Sequence, residues 1–338
     1  MSSRIATISM MRNESDIIEA FARYHLQFVD GMLFIDHRSN DNSCQIVESL
    51  SKEGLPISLV KTNDLAYNQS RLINAYAYRT AKKYRADWII PLDLDECLHA
   101  PNIESPIQEL TEYKGNKPVR IPWRTYVPTS RDNQEEKNPF KRITHRVYKE
   151  QKQYYKIAVP KKFLSNGYYI TLGNHDIKSQ KKGRIDRLIA KDTWIAHFPI
   201  RSVEQYISKI LLGWLSVIIK GKESKNKNTA RHWKQHFDQI LERPKLHYQD
   251  LEYLCASYLN INLENQQLIF DPLPSKFLTF TLNGPEPLQQ SPYANALHFA
   301  ETIAHSYSEL LSDVKSNKRK GFKLGKIKIN IEWISEKT

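Results

Sequence analysis

Cysteine is scarce in this 338-residue chain, which contains three, Cys44, Cys97 and Cys255. They lie far apart, and no C-x-x-C spacing occurs. An odd number of separated cysteines argues against a disulfide framework and against a cysteine zinc site. The pattern favours a reducing compartment.

Long apolar runs are also missing. The longest, Ile210 to Ile219, is interrupted by Ser216 and bracketed by Lys209 and Lys220. It falls short of the roughly 20 apolar residues that span a membrane. The first residues show no apolar stretch typical of a secretory signal. We therefore expect a cytoplasmic protein, with peripheral contact to the inner face of an anionic membrane as an open alternative.

Acidic residues are fewer than basic ones, since 37 Asp and Glu stand against 50 Lys and Arg, a net charge of +13. This excess of positive charge predicts an anionic partner. The candidates are nucleotide phosphates, nucleic acid and an anionic membrane surface. Much of the positive charge lies late, at 315–328, where a solvated tail explains it equally well. No recognised nucleic-acid-binding signature accompanies the charge, so nucleic acid is the least favoured partner.

Glycine-rich phosphate loops are absent: neither G-x-G-x-x-G nor G-x-x-x-x-G-K-[ST] occurs. The chain therefore gives no support for a dinucleotide fingerprint or a Walker loop. Its first hundred residues instead contain four apolar, strand-like runs separated by helical patterns. These runs are residues 5–11, 32–36, 57–60 and 88–92. The alternation predicts an α/β fold with a mostly parallel central sheet and helices on both faces.

Polar residues collect at three strand ends, and they are Arg12-Asn13-Glu14, Asp36-His37-Arg38 and Asp93-Leu94-Asp95-Glu96. Ligands of parallel sheets bind outside the carboxyl ends of the strands. In an extended chain Asp93 and Asp95 would point the same way, and their repulsion would be relieved by a cation between them. Carboxylates suit Mg²⁺ or Mn²⁺. Taken alone, the pair is short and common, and a turn cap with a solvated strand end is the favoured explanation.

As an ordered set, these residues resemble a GT-A-type glycosyltransferase. The segments that carry the resemblance are Arg12-Asn13-Glu14, Asp36-x-x-Ser39-x-Asp41 and Leu92-Asp93-Leu94-Asp95-Glu96. They match the family-two-like group that starts with R-N-E and carries D-x-D-E. The resemblance covers residues 4–100 and weakens towards residue 215. It implies a GT-A-like fold, a nucleotide-sugar donor such as a UDP-sugar, and Mn²⁺ or Mg²⁺ held on the donor's diphosphate.

The resemblance also implies roles for particular residues. Asp93 and Asp95 are the expected metal ligands, with His197 as the first choice and His175 as the second for an additional imidazole ligand. The substrate-binding candidates are Arg12, Asn13, Glu14, Asp36, Arg71, Asp93 and Arg201. Glu14 and Asp36 also have plain structural explanations, Glu14 as an acid in the first turn of a helix and Asp36 as a turn residue at a strand end.

The catalytic base is open between Asp176, which lies on a turn, and Asp132, which lies in the polar loop 129–139. The base would take the proton of a glycan or lipid-linked acceptor hydroxyl as it attacks the anomeric carbon with inversion. The cation would neutralise the departing diphosphate. Glu96 could orient the metal ligands, and Arg201, at the start of a helix, is expected at the diphosphate.

Two regions are expected, a catalytic one over residues 1–220 and a mainly helical one over residues 221–338 that ends in the basic tail. Two other functions stay open. A metal-dependent phosphohydrolase or nucleotidyltransferase would use the same paired aspartates, and a non-enzymatic nucleic-acid-binding protein would use the positive charge. Metal-dependent release of a nucleoside diphosphate from a nucleotide sugar would distinguish a transferase of polysaccharide biosynthesis from both.

Overall fold

The computed structural model describes residues 3–318, apart from residues 67, 101–104, 114, 166, 182, 220–226, 263–266 and 289–290. A predicted strand at 327–334, and the basic tail from residue 319 onward, lie outside the described residues. The strands are β1 (Ile5–Met11), β2 (Gly31–Asp36), β3 (Ile57–Lys61), β4 (Trp88–Pro91), β5 (Glu96–His99), β6 (Val119–Thr125), β7 (His145–Val147), β8 (Tyr155–Pro160), β9 (Tyr168–Ile170), β10 (Ile177–Ser179), β11 (Leu188–Ile189), β12 (Trp194–His197) and β13 (Leu268–Phe270). The α-helices are α1 (Ile18–His25), α2 (Ser43–Lys52), α3 (Gln69–Lys83), α4 (Gln108–Glu112), α5 (Pro139–Arg142), α6 (Val203–Ile219), α7 (Lys227–Glu242), α8 (Leu251–Leu259) and α9 (Pro292–Lys318).

A nine-stranded sheet forms the centre of the molecule, in the order β3-β2-β1-β4-β8-β6-β12-β5 with β11 beside β6. The first four strands of this order are parallel neighbours. Strand β8 runs against both of its neighbours, and β5 runs against β12. The remaining pairs, β12 with β6 and β11 with β6, are parallel. The predicted α/β class with a mostly parallel sheet is confirmed.

Helices cover both faces of this sheet, which is why β1 is buried along its whole length. Ile5 and Met11 belong to the apolar cluster that includes α1 and α2. Ala6, Ile8 and Met10 point the other way and pack with α3. Each large side chain buried in this way contributes about 1.5–3 kcal/mol. The strand's alternating faces therefore anchor helices on opposite sides, as the sequence predicts.

The region after residue 200 is mainly helical. Helices α6, α7 and α8 share a separate apolar cluster that includes Tyr206, Ile210, Ile240 and Leu254. The chain then returns to the first half of the molecule, where Phe277 packs edge-on against Phe28 at 4.7 Å. Among the described residues, no helix combines the length and apolar character needed to cross a membrane.

The stretch after β4 differs from the predicted extended chain. It turns at Leu94 and Asp95 and enters β5, a strand that the apolar pattern does not indicate. Two hydrogen bonds close this turn. The Glu96 N–H donates to the Asp93 carbonyl at 3.1 Å, and the Asp93 N–H donates to Glu96 Oε2 at 2.9 Å. Strand β5 then pairs with β12 so that His197 lies opposite Glu96. Asp93 and Asp95 consequently do not share one face of a strand.

Candidate active site

The loops after β1 and β2 hold each other at the carboxyl edge of the sheet. Three consecutive backbone N–H groups donate to side-chain oxygens: Asn13 to Ser39 Oγ (3.0 Å), Glu14 to Ser43 Oγ (2.9 Å) and Ser15 to Asp41 Oδ2 (3.1 Å). Asn13 has a φ of 53°, in the left-handed region that asparagine tolerates better than most residues. The loop after β2 and the first residue of α2 therefore fix the backbone of residues 13–15.

Asp95 is almost fully buried at this edge and lies between two partners. Its Oδ2 accepts a hydrogen bond from Lys209 Nζ of α6 at 2.8 Å and lies 3.8 Å from His197 Nε2 of β12. Burial alone would raise the pKa of Asp95, but Lys209 and His197 hold it well below its usual range. Asp95 is therefore ionised at neutral pH.

His197 is neutral at the same pH, because burial lowers its pKa to about 4. Its ring stacks on Trp123, with ring centres 4.3 Å apart. Its Nδ1 is buried and has no hydrogen-bond partner in the described part of the chain. A neutral imidazole held in a fixed orientation can act as a metal ligand.

Asp93 faces a different set of partners. Lys156 Nζ, fully buried on β8, donates to Asp93 Oδ2 at 2.5 Å and lies 3.1 Å from Glu96 Oε1. Gln69 Nε2 of α3 donates to Asp93 Oδ1 at 2.7 Å. Burial raises the pKa of Glu96 well above its usual range, although Lys156 acts to lower it. The two acids thus share one buried cation.

Asp95, Glu96 and His197 could hold a metal ion, since one ligand atom of each lies within 4.8 Å of the others. An ionised carboxylate and a neutral imidazole are donors that Mn²⁺ accepts. The donor set therefore fits a divalent cation, provided that Lys209 shares or releases Asp95. The predicted ligand Asp93 lies outside this group and is bound to Lys156. The second-choice ligand His175 also lies outside it, with Nδ1 2.8 Å from the Tyr155 carbonyl.

Arg201 is buried and ties the R-N-E segment to the start of α6. Its Nη2 donates to Glu14 Oε2 at 2.6 Å, and its Nε donates to Asp16 Oδ2 at 2.7 Å. Burial raises the pKa of Glu14 to about 7, although Arg201 acts to lower it. The predicted contact of Arg201 with a diphosphate stays a prediction, and its Nη1, which is buried and has no hydrogen-bond partner among the described residues, is the donor left for it.

A cavity of about 260 Å³ opens beside the ends of β1, β2 and β3. Arg12, Asp36, Arg38 and Lys61 contribute to its lining. Burial raises the pKa of Asp36, and the Ser39 N–H donates to its Oδ1 at 3.1 Å. Three cations against one carboxylate make this cavity suited to an anionic ligand.

Both candidates for the catalytic base have protein partners. Asp176 accepts from Arg120 Nη2 at 2.7 Å and also pairs with Arg187. Asp132 accepts from the backbone N–H of Thr129 at 2.8 Å, and burial raises its pKa. The two assignments stay predictions, and the ion pairs of Asp176 weigh against that choice.

Two further substrate-binding candidates also contact protein groups. Asn13 Oδ1 accepts from the backbone N–H of Asn40 at 2.9 Å. Arg71 of α3 forms an ion pair with Asp64, and its side chain is about half exposed. Their contacts with substrate stay predictions, and the structure gives Asn13 a role in holding the loop.

The two lysines that neutralise the acids, Lys156 and Lys209, are not among the site residues predicted from the sequence. Lysine is almost never buried without a charged partner. A lysine at a position that the apolar pattern marks as buried is therefore the signal that could have identified them. Lys156 interrupts an apolar strand, and Lys209 follows Tyr206 by three positions on the buried face of α6. A lysine at such a position indicates a buried acid nearby, without saying which acid it is.

No protein-family model matches this chain, and no match was found among curated proteins. One solved structure that aligns with it is described as a mycobacterial protein, with 11% identity, a TM-score of 0.30, and coverage of 64% of this chain and 72% of the other. Another is glucosyl-3-phosphoglycerate synthase from Mycobacterium tuberculosis in complex with phosphoglyceric acid, with 11% identity, a TM-score of 0.32, and coverage of 82% and 91%. Alignments of this quality identify neither a family nor a function for this chain.

Proposed function

We propose that this protein is a glycosyltransferase that moves a sugar from a nucleotide-sugar donor to an acceptor hydroxyl, with a divalent cation held by Asp95 and His197. One observation carries the proposal: the Asp95, Glu96 and His197 group lies at the same sheet edge as the cation-lined cavity. A nucleoside diphosphate needs both, since its phosphates bind a cation and its organic part needs a pocket.

The roles of the residues follow from their positions. When bound, the cation would supply neutralisation of the charge on the departing nucleoside diphosphate. Asp95 would bind it as an ionised carboxylate, and His197 as an imidazole oriented by Trp123. Glu96 closes the turn through the Asp93 N–H and so keeps Asp95 in place.

The cavity would receive the nucleoside. Asp36 and Arg12 would contact the nucleoside, with Asp36 accepting hydrogen bonds from ribose hydroxyls, and the cation Lys61 would face the phosphates. A carboxylate, Asp176 or Asp132, would take the proton of the acceptor hydroxyl and give inversion at the anomeric carbon. For Asp176 this requires Arg120 or Arg187 to release an oxygen.

A panel of nucleotide sugars tests the proposal. Each is incubated with the protein and Mn²⁺ or Mg²⁺, and release of the free nucleoside diphosphate is measured with and without the metal. We expect at least one donor to be cleaved in a metal-dependent reaction. Donors that bind should also raise the melting temperature. Release of inorganic phosphate or pyrophosphate instead would favour a phosphohydrolase or a nucleotidyltransferase, and no turnover of any donor would contradict the proposal.

A further inference from the structure

The cavity beside the strand ends has a wall that comes from the opposite end of the chain. His298, Phe299 and Thr302 of α9 line it, facing Arg12 and Asp36. These three residues lie far in the sequence from the polar strand-end segments that also line the cavity. A helix from the last part of the described chain therefore completes a pocket whose other lining residues lie between Arg12 and Asn63.

Specific contacts hold α9 in this position. Asn40 Nδ2, in the loop after β2, donates to Asn295 Oδ1 of α9 at 3.0 Å. Both Asn295 and Phe299 are at least 95% buried. Helix α9 also packs along α6, the helix that carries Lys209. The wall is thus joined to both the loop and the helix that shape the rest of the site.

The contact between Phe299 and Arg12 orients the guanidinium within the cavity. The Arg12 Cζ lies 3.7 Å from the centre of the Phe299 ring, within the range of a cation–π interaction. Arg12 Nη1 donates to Ser216 Oγ at 3.3 Å. Arg12 Nε is buried and has no hydrogen-bond partner among the described residues. Phe299 therefore sets where this cation sits, and the unpaired Nε–H remains a donor.

We propose that α9 is a wall of the nucleoside pocket and that Phe299 and Thr302 determine the affinity for the nucleoside part of the donor. This inference rests on the proposed function. It gives α9 a part in binding that a helix serving only to stabilise the fold would lack. If α9 only stabilised the fold, substitutions on it would change the stability of the protein. They would then alter the affinities for a nucleoside diphosphate and for pyrophosphate to the same extent.

Calorimetric titration tests this difference with four nucleoside diphosphates (UDP, GDP, CDP and ADP) and with inorganic pyrophosphate, all in the presence of Mn²⁺. Thr302→Trp would place a large ring in the cavity, and Phe299→Ala would remove the ring beneath Arg12. For the best-bound nucleoside diphosphate we expect affinity to fall at least tenfold in Thr302→Trp and about fivefold in Phe299→Ala. Pyrophosphate should bind within twofold of wild type. Leu297→Ala, on an exposed part of the same helix, is the matched control and should change neither affinity.

The outcomes separate the two proposals. If wild type binds a nucleoside diphosphate and both variants bind it equally well, the inference about α9 is wrong and the proposed function stands. An equal loss of pyrophosphate affinity in Thr302→Trp would also overturn the inference, because the substitution would then act on the whole site. If wild type binds none of the four nucleoside diphosphates, both proposals fail.

Discussion

The two ends of the candidate site are built in opposite ways. At the closed end, which we define as Asp93, Asp95, Glu96 and His197, the three acids are paired with buried or half-buried lysines. At the open end, the cavity lined by Arg12, Asp36, Arg38 and Lys61, cations outnumber acids and face a space of about 260 Å³. Without a bound metal, the closed end is thus neutralised by the protein's own lysines, whereas the open end is arranged to be neutralised by a ligand.

This difference predicts where substitutions act. An unpaired buried charge costs several kcal/mol, so the closed end needs its lysines for the chain to fold. Exposed ion pairs contribute about 0–1 kcal/mol, so the open end can lose a cation at little cost in stability. Substitutions at the closed end should therefore change folding or catalysis, and those at the open end should change donor affinity.

The largest effect is expected for Lys156→Met, which removes the cation shared by Asp93 and Glu96. Leaving the buried Glu96 and the partly exposed Asp93 without it should lower the free energy of unfolding by about 3–5 kcal/mol. Urea denaturation followed by circular dichroism measures this loss. Lys162→Met, at an exposed position of the following turn, should stay within about 0.5 kcal/mol of wild type. Equal stability of the two variants would remove the distinction between the two ends.

Acidification should lower the stability of the protein through protonation of His25, which contacts β5, the strand that carries Glu96 of the closed end. Burial lowers the pKa of His25 to about 4, and its Nε2 accepts from the Leu98 N–H of β5 at 3.2 Å. Between pH 4 and 6.5 the folded chain binds fewer protons at His25 than the unfolded chain does. The contribution of neutral His25 to the free energy of unfolding is therefore complete above pH 6.5. It falls as the pH drops to 4, by on the order of 3 kcal/mol.

His25→Gln tests this dependence by urea denaturation at several pH values between 4 and 7. The variant should be less stable at pH 7 and should lose less stability on acidification than wild type. His305→Gln, at an exposed histidine, should follow the wild-type slope. The same slope in all three proteins would show that His25 is not the responsible group.

Asp95→Asn should reduce metal-dependent release of the nucleoside diphosphate at least 100-fold, which corresponds to about 2.7 kcal/mol. The reason is that the amide replaces the charged oxygen proposed to bind the cation. The rate is measured at saturating donor and Mn²⁺. Asp186→Asn, at an exposed aspartate, serves as the control and should keep the wild-type rate. Full activity of Asp95→Asn would rule out a metal role for this carboxylate.

The smallest effect is expected at the open end. Lys61→Met should raise the KM for the donor about fivefold, or about 1 kcal/mol, because a cation facing the phosphates is lost. Stability and kcat should barely change, since the Lys61 pair with Glu48 is exposed. Steady-state kinetics compares this variant with Lys52→Met, an exposed lysine on α2. A large loss of stability in Lys61→Met would contradict the contrast between the ends.

The parallel half of the sheet could be predicted because its signals are local. Apolar runs, intervening helical periods and polar strand ends all lie within the first hundred residues, and the structure pairs the strands accordingly. The sequence also singles out His197, which the structure brings to 3.8 Å from Asp95. The helical spacing of apolar residues after residue 200 likewise predicts helices in that region.

The geometry around D-x-D could not be predicted, because distant contacts determine it. The turn at Asp95 depends on the pairing of β5 with β12, a strand about a hundred residues later. The choice of Lys156 for Asp93 and Lys209 for Asp95 depends on how β8 and α6 pack, not on local spacing. The same holds for Phe299, which reaches Arg12 only because α9 lies along α6.

The central claim is that Asp95 and His197 hold a divalent cation beside a nucleotide pocket. Titration of the purified protein with Mn²⁺, with the free ion followed by electron paramagnetic resonance, tests it most directly. We predict one bound Mn²⁺ per chain, tightened by a nucleoside diphosphate and weakened at least tenfold in His197→Gln. Metal-independent turnover of a nucleotide sugar without any bound Mn²⁺ would contradict the claim.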